Sequence, residues 1–529
     1  MTDFRAQQQL TRFQAREYEQ GINDVLVRAR YLVNSFHITV RVPPEILDMV
    51  CSFLTTEDVF SASQVCHRWR AVLVSSPSLW TQFPCRHMPQ TIISLERCKS
   101  MPIQLEFYRE SPIAAVEKVL LHGNKITSLS VHHHPAQTPI LGQLFMFSRP
   151  SVERLYMGPE EVAGWGARTQ TAHTIWQDLP SLRELFVRQY SIPINRLTAP
   201  NLVHLALERA GYGRDVTVQS ILDMLRGCPL LETLLITDSR VRKNTTPDHP
   251  PVSLPRLRSI ELGEDEVRSG LATRLQFPQN IAVGLRMLFS SDVYGDIPFA
   301  AKATMRHVLR RIDIRCITLA VESPDPQGDV GLLIRFEGLY GSLEITTNTL
   351  HTDEMIWNVF FSPWGVLFSH SPRIEHVREL HIVGCHFGGG RESHHIHAAM
   401  PNIVSISFFD CEEPHAFALP LQSDPSSPPF PCLERIMVLG PESGLVRMAQ
   451  ARRDCGIPLK TLVVGLGSGQ FEYDHLEDYT ELGELVDNLR TGCPTEILQW
   501  GIGNEVLNIW STAETPGPVS PNGNLMVLC

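Results

Sequence analysis

One phrase recurs along this chain: a proline, any residue, an aliphatic residue, two residues, a second aliphatic residue, one residue, and a third aliphatic or aromatic residue. It runs as PSVERLYM from Pro150, PSLRELFV from Pro180, PNLVHLAL from Pro200, PLLETLLI from Pro229, PRLRSIEL from Pro255, PNIVSISF from Pro401 and PCLERIMV from Pro431. Shortened or shifted copies lie at 126–131, 377–382 and 459–464. The alternation that closes each phrase predicts a short strand with one face buried. Within each run, successive copies start roughly 20 to 30 residues apart, which is too short a period for stacked helical pairs. Helix candidates fall between them at 111–123, 218–227, 301–311 and 443–455. Strand, turn and helix in repetition predict an α/β solenoid, in which no unit buries its apolar face alone and stacking supplies the core.

Phrase and period resemble leucine-rich repeats. The inward-facing Asn or Cys that usually follows the strand in that family is mostly missing here. Cys385 and Cys411 do fall at that position, and they read as repeat core rather than as redox sites. Residues 270–370 break the period and hold either irregular repeats or an inserted unit. Stretches 243–253, 322–331 and 412–431 are rich in Pro, Ser and acidic residues and read as surface loops. From residue 512 onward the composition is Pro- and Gly-rich, as in a mobile tail.

A different segment precedes the repeats: ITVRVPPEILDMVCSFLTTEDVFSASQVCHRWRAVLVSSPSLWTQF, residues 38–83. Pro43 and Pro44 suit a helix start, where a fixed φ and a missing N–H cost nothing. Ile46, Leu47, Val50, Phe53 and Leu54 then form one apolar helical face. Thr55 or Thr56 can cap the next helix, with Asp58 as the acidic partner of a capping box if Thr55 is the cap. That helix is expected to carry Val59, Ala62, Val65, Cys66, Trp69 and Leu73 at helical spacing. A unit of about 45 residues buries too little surface to be robust alone, so it is expected to lean on a partner.

Val42-Pro43-Pro44-Glu45-Ile46-Leu47, Phe53-Leu54, Asp58-Val59, Val65-Cys66-His67-Arg68-Trp69-Arg70 and Pro77-Ser78-Leu79-Trp80 together resemble the F-box. Val42 and Val59 stand where that family more often has leucine, and a β-branched aliphatic residue still fills an apolar pocket. The resemblance implies a trihelical element that binds the Skp-type adaptor of a cullin–RING ubiquitin ligase. By position it implies Pro44, Ile46, Leu47, Val50, Leu54, Val59, Val65 and Trp69 as the adaptor contact and its supporting core.

Residues 4–36 read as one or two helices, because Ile22, Val25, Leu26, Ala29, Leu32 and Val33 recur at three- and four-residue steps. The stripe is open to two readings, a coiled-coil seam or a helix docked on the chain's own downstream domain. The N-terminus lacks the apolar stretch of a secretory signal, and no window approaches 18 apolar residues, so neither export nor a membrane span is expected. Lys plus Arg total 46 against 57 Asp plus Glu, a net charge of −11 that argues against nucleic acid as a partner. The 12 cysteines lack the spacing of a disulfide framework, which implies reduced thiols in the cytoplasm or nucleus. Asn244-Thr245-Thr246 matches a glycosylation sequon, and nothing else points to secretion.

Several patterns imitate catalytic or metal sites. GLGSGQ from Gly465 follows a strand phrase, but its third glycine is misplaced for a dinucleotide loop and a turn is expected. His386, His394, His395 and His397 surround Gly388-Gly389-Gly390 without the paired spacing of structural zinc, and a solvated loop is expected there and at His132, His133 and His134. No GxSxG elbow, Walker loop or HExxH helix occurs.

The expected organisation is a helical segment at 1–36, the F-box-like unit at 38–84, the repeat domain at 100–511 and a tail at 512–529. The expected function is that of a non-enzymatic substrate-recognition adaptor of an SCF-type ubiquitin ligase. It binds a Skp-type adaptor, and through it a cullin, by the early helices, and a target protein by the repeats, with no cofactor or metal. The alternative is an F-box and repeat scaffold acting in protein–protein interaction outside any ligase.

Overall fold

The recurring proline sets a turn, and the turn sets a strand. In a computed structural model of the chain, the N–H of the first aliphatic residue in five of the phrases donates to the carbonyl just before the proline: Leu182 to Leu179, Leu202 to Ala199, Leu231 to Cys228, Leu257 to Leu254 and Leu433 to Phe430, at 3.0–3.3 Å. Proline thus occupies the second position of a β-turn, where its φ is pre-set. The three apolar positions that follow are all buried, as Leu202, Leu205 and Leu207 illustrate at 1% exposure or less. Burying each stabilises by roughly 1.5–3 kcal/mol relative to leaving it in water. The phrase is therefore a packing instruction repeated.

The structure describes residues 20, 22–29, 42–108, 110–120, 122, 125–132, 151–158, 179–189, 197–210, 216–239, 241, 250–288, 299–322, 330–338, 341–349, 374–384, 396–397, 400–409, 411, 414–418, 429–439, 444–465 and 476–492. The chain divides into two compact units, Met1–Ala167 and Arg168–Cys529.

The first unit contains α1 (Pro44–Cys51), α2 (Thr56–Ala62), α3 (His67–Ser75), a 3-10 turn at Pro77–Trp80, β1 (Gln82–Pro84), α4 (Met88–Arg97), β2 (Ile103–Tyr108), α5 (Ile113–Leu120), β3 (Ile126–His132) and β4 (Arg154–Met157). Strands β1 to β4 pair in parallel and in chain order. Their buried row includes Phe83, Leu105, Leu129 and Leu155.

The second unit contains β5 (Glu184–Arg188), β6 (His204–Glu208), α6 (Val218–Arg226), β7 (Thr233–Thr237), β8 (Val252–Ser253), β9 (Ser259–Leu262), α7 (Glu264–Ser269), β10 (Leu275–Gln276), β11 (Ala282–Leu288), α8 (Phe299–Leu309), β12 (Ile314–Glu322), β13 (Val330–Gly338) and β14 (Ser342–Thr349). It continues with β15 (Glu379–Val383), β16 (Ser405–Phe409), α9 (Pro414–Ala418), β17 (Arg435–Leu439), α10 (Leu445–Asp454), β18 (Thr461–Gly465), α11 (Leu476–Leu485) and β19 (Asn488–Gly492). Strands β5, β6, β7, β9 and β11 form a parallel ladder, as do β15 to β19, while β8 pairs with β10 apart from it.

Within 270–370, the described strands β12, β13 and β14 join the two ladders by an antiparallel excursion. Strand β12 pairs antiparallel with β13, and β13 with β14; β14 lies parallel to β11, and β12 parallel to β15. The extra strand explains why the sequence loses its period there: β12 and β13 are nine residues each, against five in the phrase strands such as β6.

Three expectations need correction. The helix expected to run from Thr56 through Leu73 is two, because Cys66 takes an extended backbone (φ −158°) and restarts the chain as α3. The loop expected at 412–431 holds the short helix α9, and that at 243–253 ends in β8. The described residues of the N-terminal segment, 20 and 22–29, are helical and all exposed, so Ile22, Val25, Leu26 and Ala29 are not docked on the described chain. The sequon, Cys385, His133, His134, His386, His394, His395, the glycine run after Gly465 and the tail from 512 lie outside the described residues. No helix among the described residues is long and apolar enough to cross a membrane.

Candidate docking face

Helix α1 begins where the sequence places it, with Pro43 as N-cap and the Leu47 N–H donating to the Pro43 carbonyl at 3.0 Å. Its apolar residues then divide between two surroundings. Leu47 and Cys51 are buried, while Ile46, Met49 and Val50 are 43%, 52% and 53% exposed. Burial first, and then the neighbouring Asp48 carboxylate, raise the Cys51 thiol above its usual range, so it stays a neutral packing group. Beyond the helix, Phe53 and Leu54 also lie in solvent, Phe53 at 85%.

Thr55 caps α2: its hydroxyl accepts from the Asp58 N–H at 3.2 Å and donates to the Asp58 carboxylate at 2.7 Å. Asp58 thus holds the capping hydroxyl. The next residue, Thr56, is nearly buried and donates to the carbonyl of Gln82, tying the helix to β1. Val59 and Ala62 point inward from α2.

Beneath these helices sits Trp80, fully buried, with Phe60 edge-on at 4.9 Å and the Arg97 guanidinium 4.3 Å above its ring. Arg68 reaches back to donate to the Val42 carbonyl at 2.7 Å, which ties α3 to the start of α1. Arg70 donates to the Ser63 carbonyl at 3.1 Å across the turn between α2 and α3. These bonds fix the helices from one side.

The eight residues implied by the resemblance separate cleanly. Pro44, Ile46, Val50, Leu54 and Val65 are exposed; Leu47 and Val59 are core; Trp69 is half-buried on α3. Met49 and Phe53 join the exposed group, although neither was among those eight. Phe53 already stood in the apolar face read from the sequence, while Met49 was hidden by the helical wheel, being adjacent to Val50 and off the main stripe. Together they leave a group of large apolar side chains exposed on one short segment.

The other sites tested by the sequence fall into the packing. Cys411 is buried, its thiol donating to the Ile382 and Phe409 carbonyls at 3.4 and 3.3 Å. His397 accepts the Phe430 N–H on Nδ1 at 3.0 Å and meets its ring edge-on. His132 stacks between Tyr108 and Tyr156, with ring centroids 5.1 and 5.0 Å away.

A family model described as F-box-like matches residues 39–86, so this segment is an F-box-like domain. No curated protein matches the chain. Among solved structures, 74% of this chain aligns with 94% of a chain in the crystal structure of the Rad7 and Elc1 complex in yeast, at 10% identity and a TM-score of 0.29.

Proposed function

We propose that this chain is the substrate-recognition adaptor of an SCF-type ubiquitin ligase. Its F-box-like segment docks a Skp-type adaptor, and through it a cullin, while the strand ladders form a leucine-rich-repeat-like solenoid that holds a target protein. The observation that carries the reading is the split within residues 44–65: Leu47 and Val59 hold the fold, and Ile46, Met49, Val50, Phe53, Leu54 and Val65 stand in water. Side chains that do nothing for their own domain are available to another chain. Covering what remains exposed contributes roughly 25 cal/mol per Å² of apolar area before ordering costs are subtracted, with Phe53 offering most.

The chain itself does no chemistry in this scheme. Holding a target's lysines near a charged ubiquitin carrier raises their effective concentration, and that proximity accelerates transfer. The site of action is the cytoplasm or nucleus.

The test is co-purification of the full chain with a Skp-type adaptor, repeated with Val50→Asp plus Phe53→Asp. The expected result is a one-to-one complex that also recovers a cullin, lost in the double variant with circular dichroism unchanged. A wild-type chain that ignores every Skp-type adaptor offered would end the proposal.

A further inference from the structure

Strands β12 and β15 bring together three metal-ligating side chains that lie far apart in the sequence. Cys316 and Glu379 are register partners across the parallel pair, and His381 follows Glu379 by two residues on β15. Because side chains alternate along a strand, Glu379 and His381 share one face while Leu380 and Ile382 bury on the other. The Cys316 sulfur, a Glu379 carboxylate oxygen and a His381 ring nitrogen all lie within 4.8 Å of one another.

We propose that Cys316, Glu379 and His381 form a binding site for one zinc-class divalent cation, with water in the fourth position. Two observations carry it independently. The first is the geometry just given: a tetrahedral ion with bonds of roughly 2.0–2.3 Å spaces its donors roughly 3.3–3.8 Å apart, so modest rotamer changes close the set. The second is that His381 Nδ1 is enclosed from solvent and has no hydrogen-bond partner among the described residues. Buried ring nitrogens are normally satisfied, and this one is left without a partner on an imidazole that lies beside a thiol and a carboxylate.

The surroundings suit a cation. Glu337 is the register partner of Cys316 on its other side, in the antiparallel pair with β13. Cys316 therefore sits between two carboxylate-bearing residues. Arg335, the nearest guanidinium on β13, is engaged by Glu344 at 2.8 Å and Glu337 at 3.8 Å. Glu379 is exposed, so the set meets solvent at that carboxylate, and it lines an open surface depression that also holds Asp313, Glu375, Arg315 and Arg378. Mixed sulfur, nitrogen and oxygen donors favour zinc over the hard cations, which require oxygen. Burial lowers the imidazole's pKa, and the neighbouring Glu379 carboxylate opposes it. Burial, then Glu337 and Glu379, also keep the thiol protonated in the bare site, so the ion takes the thiolate and one proton goes to solvent.

The experiment uses the full chain, purified, stripped of metal and titrated first with zinc and then with cobalt. The expected result is one equivalent of zinc by elemental analysis and a near-ultraviolet thiolate-to-cobalt absorption. Cys316→Ser should abolish that absorption. Glu379→Gln changes an exposed side chain and leaves folding intact; it removes a direct ligand and should weaken zinc by at least about tenfold, since loss of even an outer-shell partner costs about 10–100-fold. Cys432→Ser, which removes the one thiol exposed among the described residues, should leave both signals unchanged. Absence of stoichiometric zinc, a cobalt band that survives Cys316→Ser, or a band that disappears with Cys432→Ser overturns the proposal. The outcome is independent of whether the F-box-like segment binds an adaptor.

Discussion

The indole N–H of Trp80 donates to the carbonyl of Leu73 at 2.7 Å, so a residue from the 3-10 turn gives a second, shorter bond to a carbonyl at the end of α3 that also accepts the Ser76 N–H at 3.4 Å. Both residues are fully buried, which makes the bond the internal brace of the F-box-like domain. Trp80→Phe keeps an aromatic ring against Phe60 and Arg97 but strips the donor, and is expected to destabilise the domain by about 1–3 kcal/mol. Trp80→Ala adds a cavity and should reach about 3–5 kcal/mol. Hydrogen exchange at amides 56–84 is the measurement, since one melting midpoint would mix two units.

Leu47 and Phe53 lie six positions apart and should behave oppositely. Phe53 is 85% exposed, so Phe53→Asp is expected to change stability by less than about 0.5 kcal/mol. It should weaken a Skp-type adaptor by about 2 kcal/mol, roughly 30-fold. Leu47 is 3% exposed, and Leu47→Ala should instead lose about 2–5 kcal/mol of domain stability. Titration calorimetry and hydrogen exchange on the same two variants separate these effects; an adaptor affinity untouched by Phe53→Asp would remove that face from the interface.

Much of this was legible because local chemistry and tertiary placement agree. Each P-x-aliphatic phrase encodes its own turn and strand, and the helices at 218–226 and 445–454 fall where glycine and periodicity put them. Thr55 announces its capping role by its distance from Asp58. What stayed hidden depends on pairing between distant segments. The antiparallel strand β13 reads like any other apolar run, and only its neighbours β12 and β14 reveal its direction. The same holds for Cys316, which meets Glu379 and His381 through strand register and no sequence spacing. Within the docking face, helical periodicity gave the apolar residues but not which of them the domain uses for itself.

Arg452 is a second buried brace, in the second unit. It is fully enclosed on α10 and its guanidinium donates to the carbonyls of Pro429, Phe430 and Leu433 at 3.0, 3.0 and 3.4 Å, around the turn that opens β17. Burial pulls its pKa down to about 10, which still leaves it a cation at neutral pH. Arg452→Met matches the bulk and removes the guanidinium's bonds to all three carbonyls, of which Phe430 keeps the Leu433 N–H, at a cost of about 3 kcal/mol. Arg452→Lys keeps the charge but loses the planar fork, and an intermediate loss is expected. Faster exchange at amides 435–439 in the order wild type, Lys, Met is the outcome to look for.

His307 gives the second unit an acid-sensitive point. Its Nε2 donates to the Leu275 carbonyl at 3.3 Å, and its ring meets Phe277 edge-on at 5.8 Å. Burial first, then Arg311 and Arg310, lower its pKa from the ordinary 6.5, although the Leu275 hydrogen bond opposes them. The sign follows from proton counting: below 6.5 the unfolded chain takes up a proton that the folded chain still resists, so the unfolded state gains. Stability contributed by neutral His307 is thus full above 6.5 and falls as pH drops through the folded value. His307→Gln retains a side-chain donor for Leu275 and cannot titrate. Comparing exchange at amides 299–309 between about pH 7.5 and about pH 5 should show a smaller acid loss in that variant. An equal loss in both proteins would assign the acid sensitivity to another group.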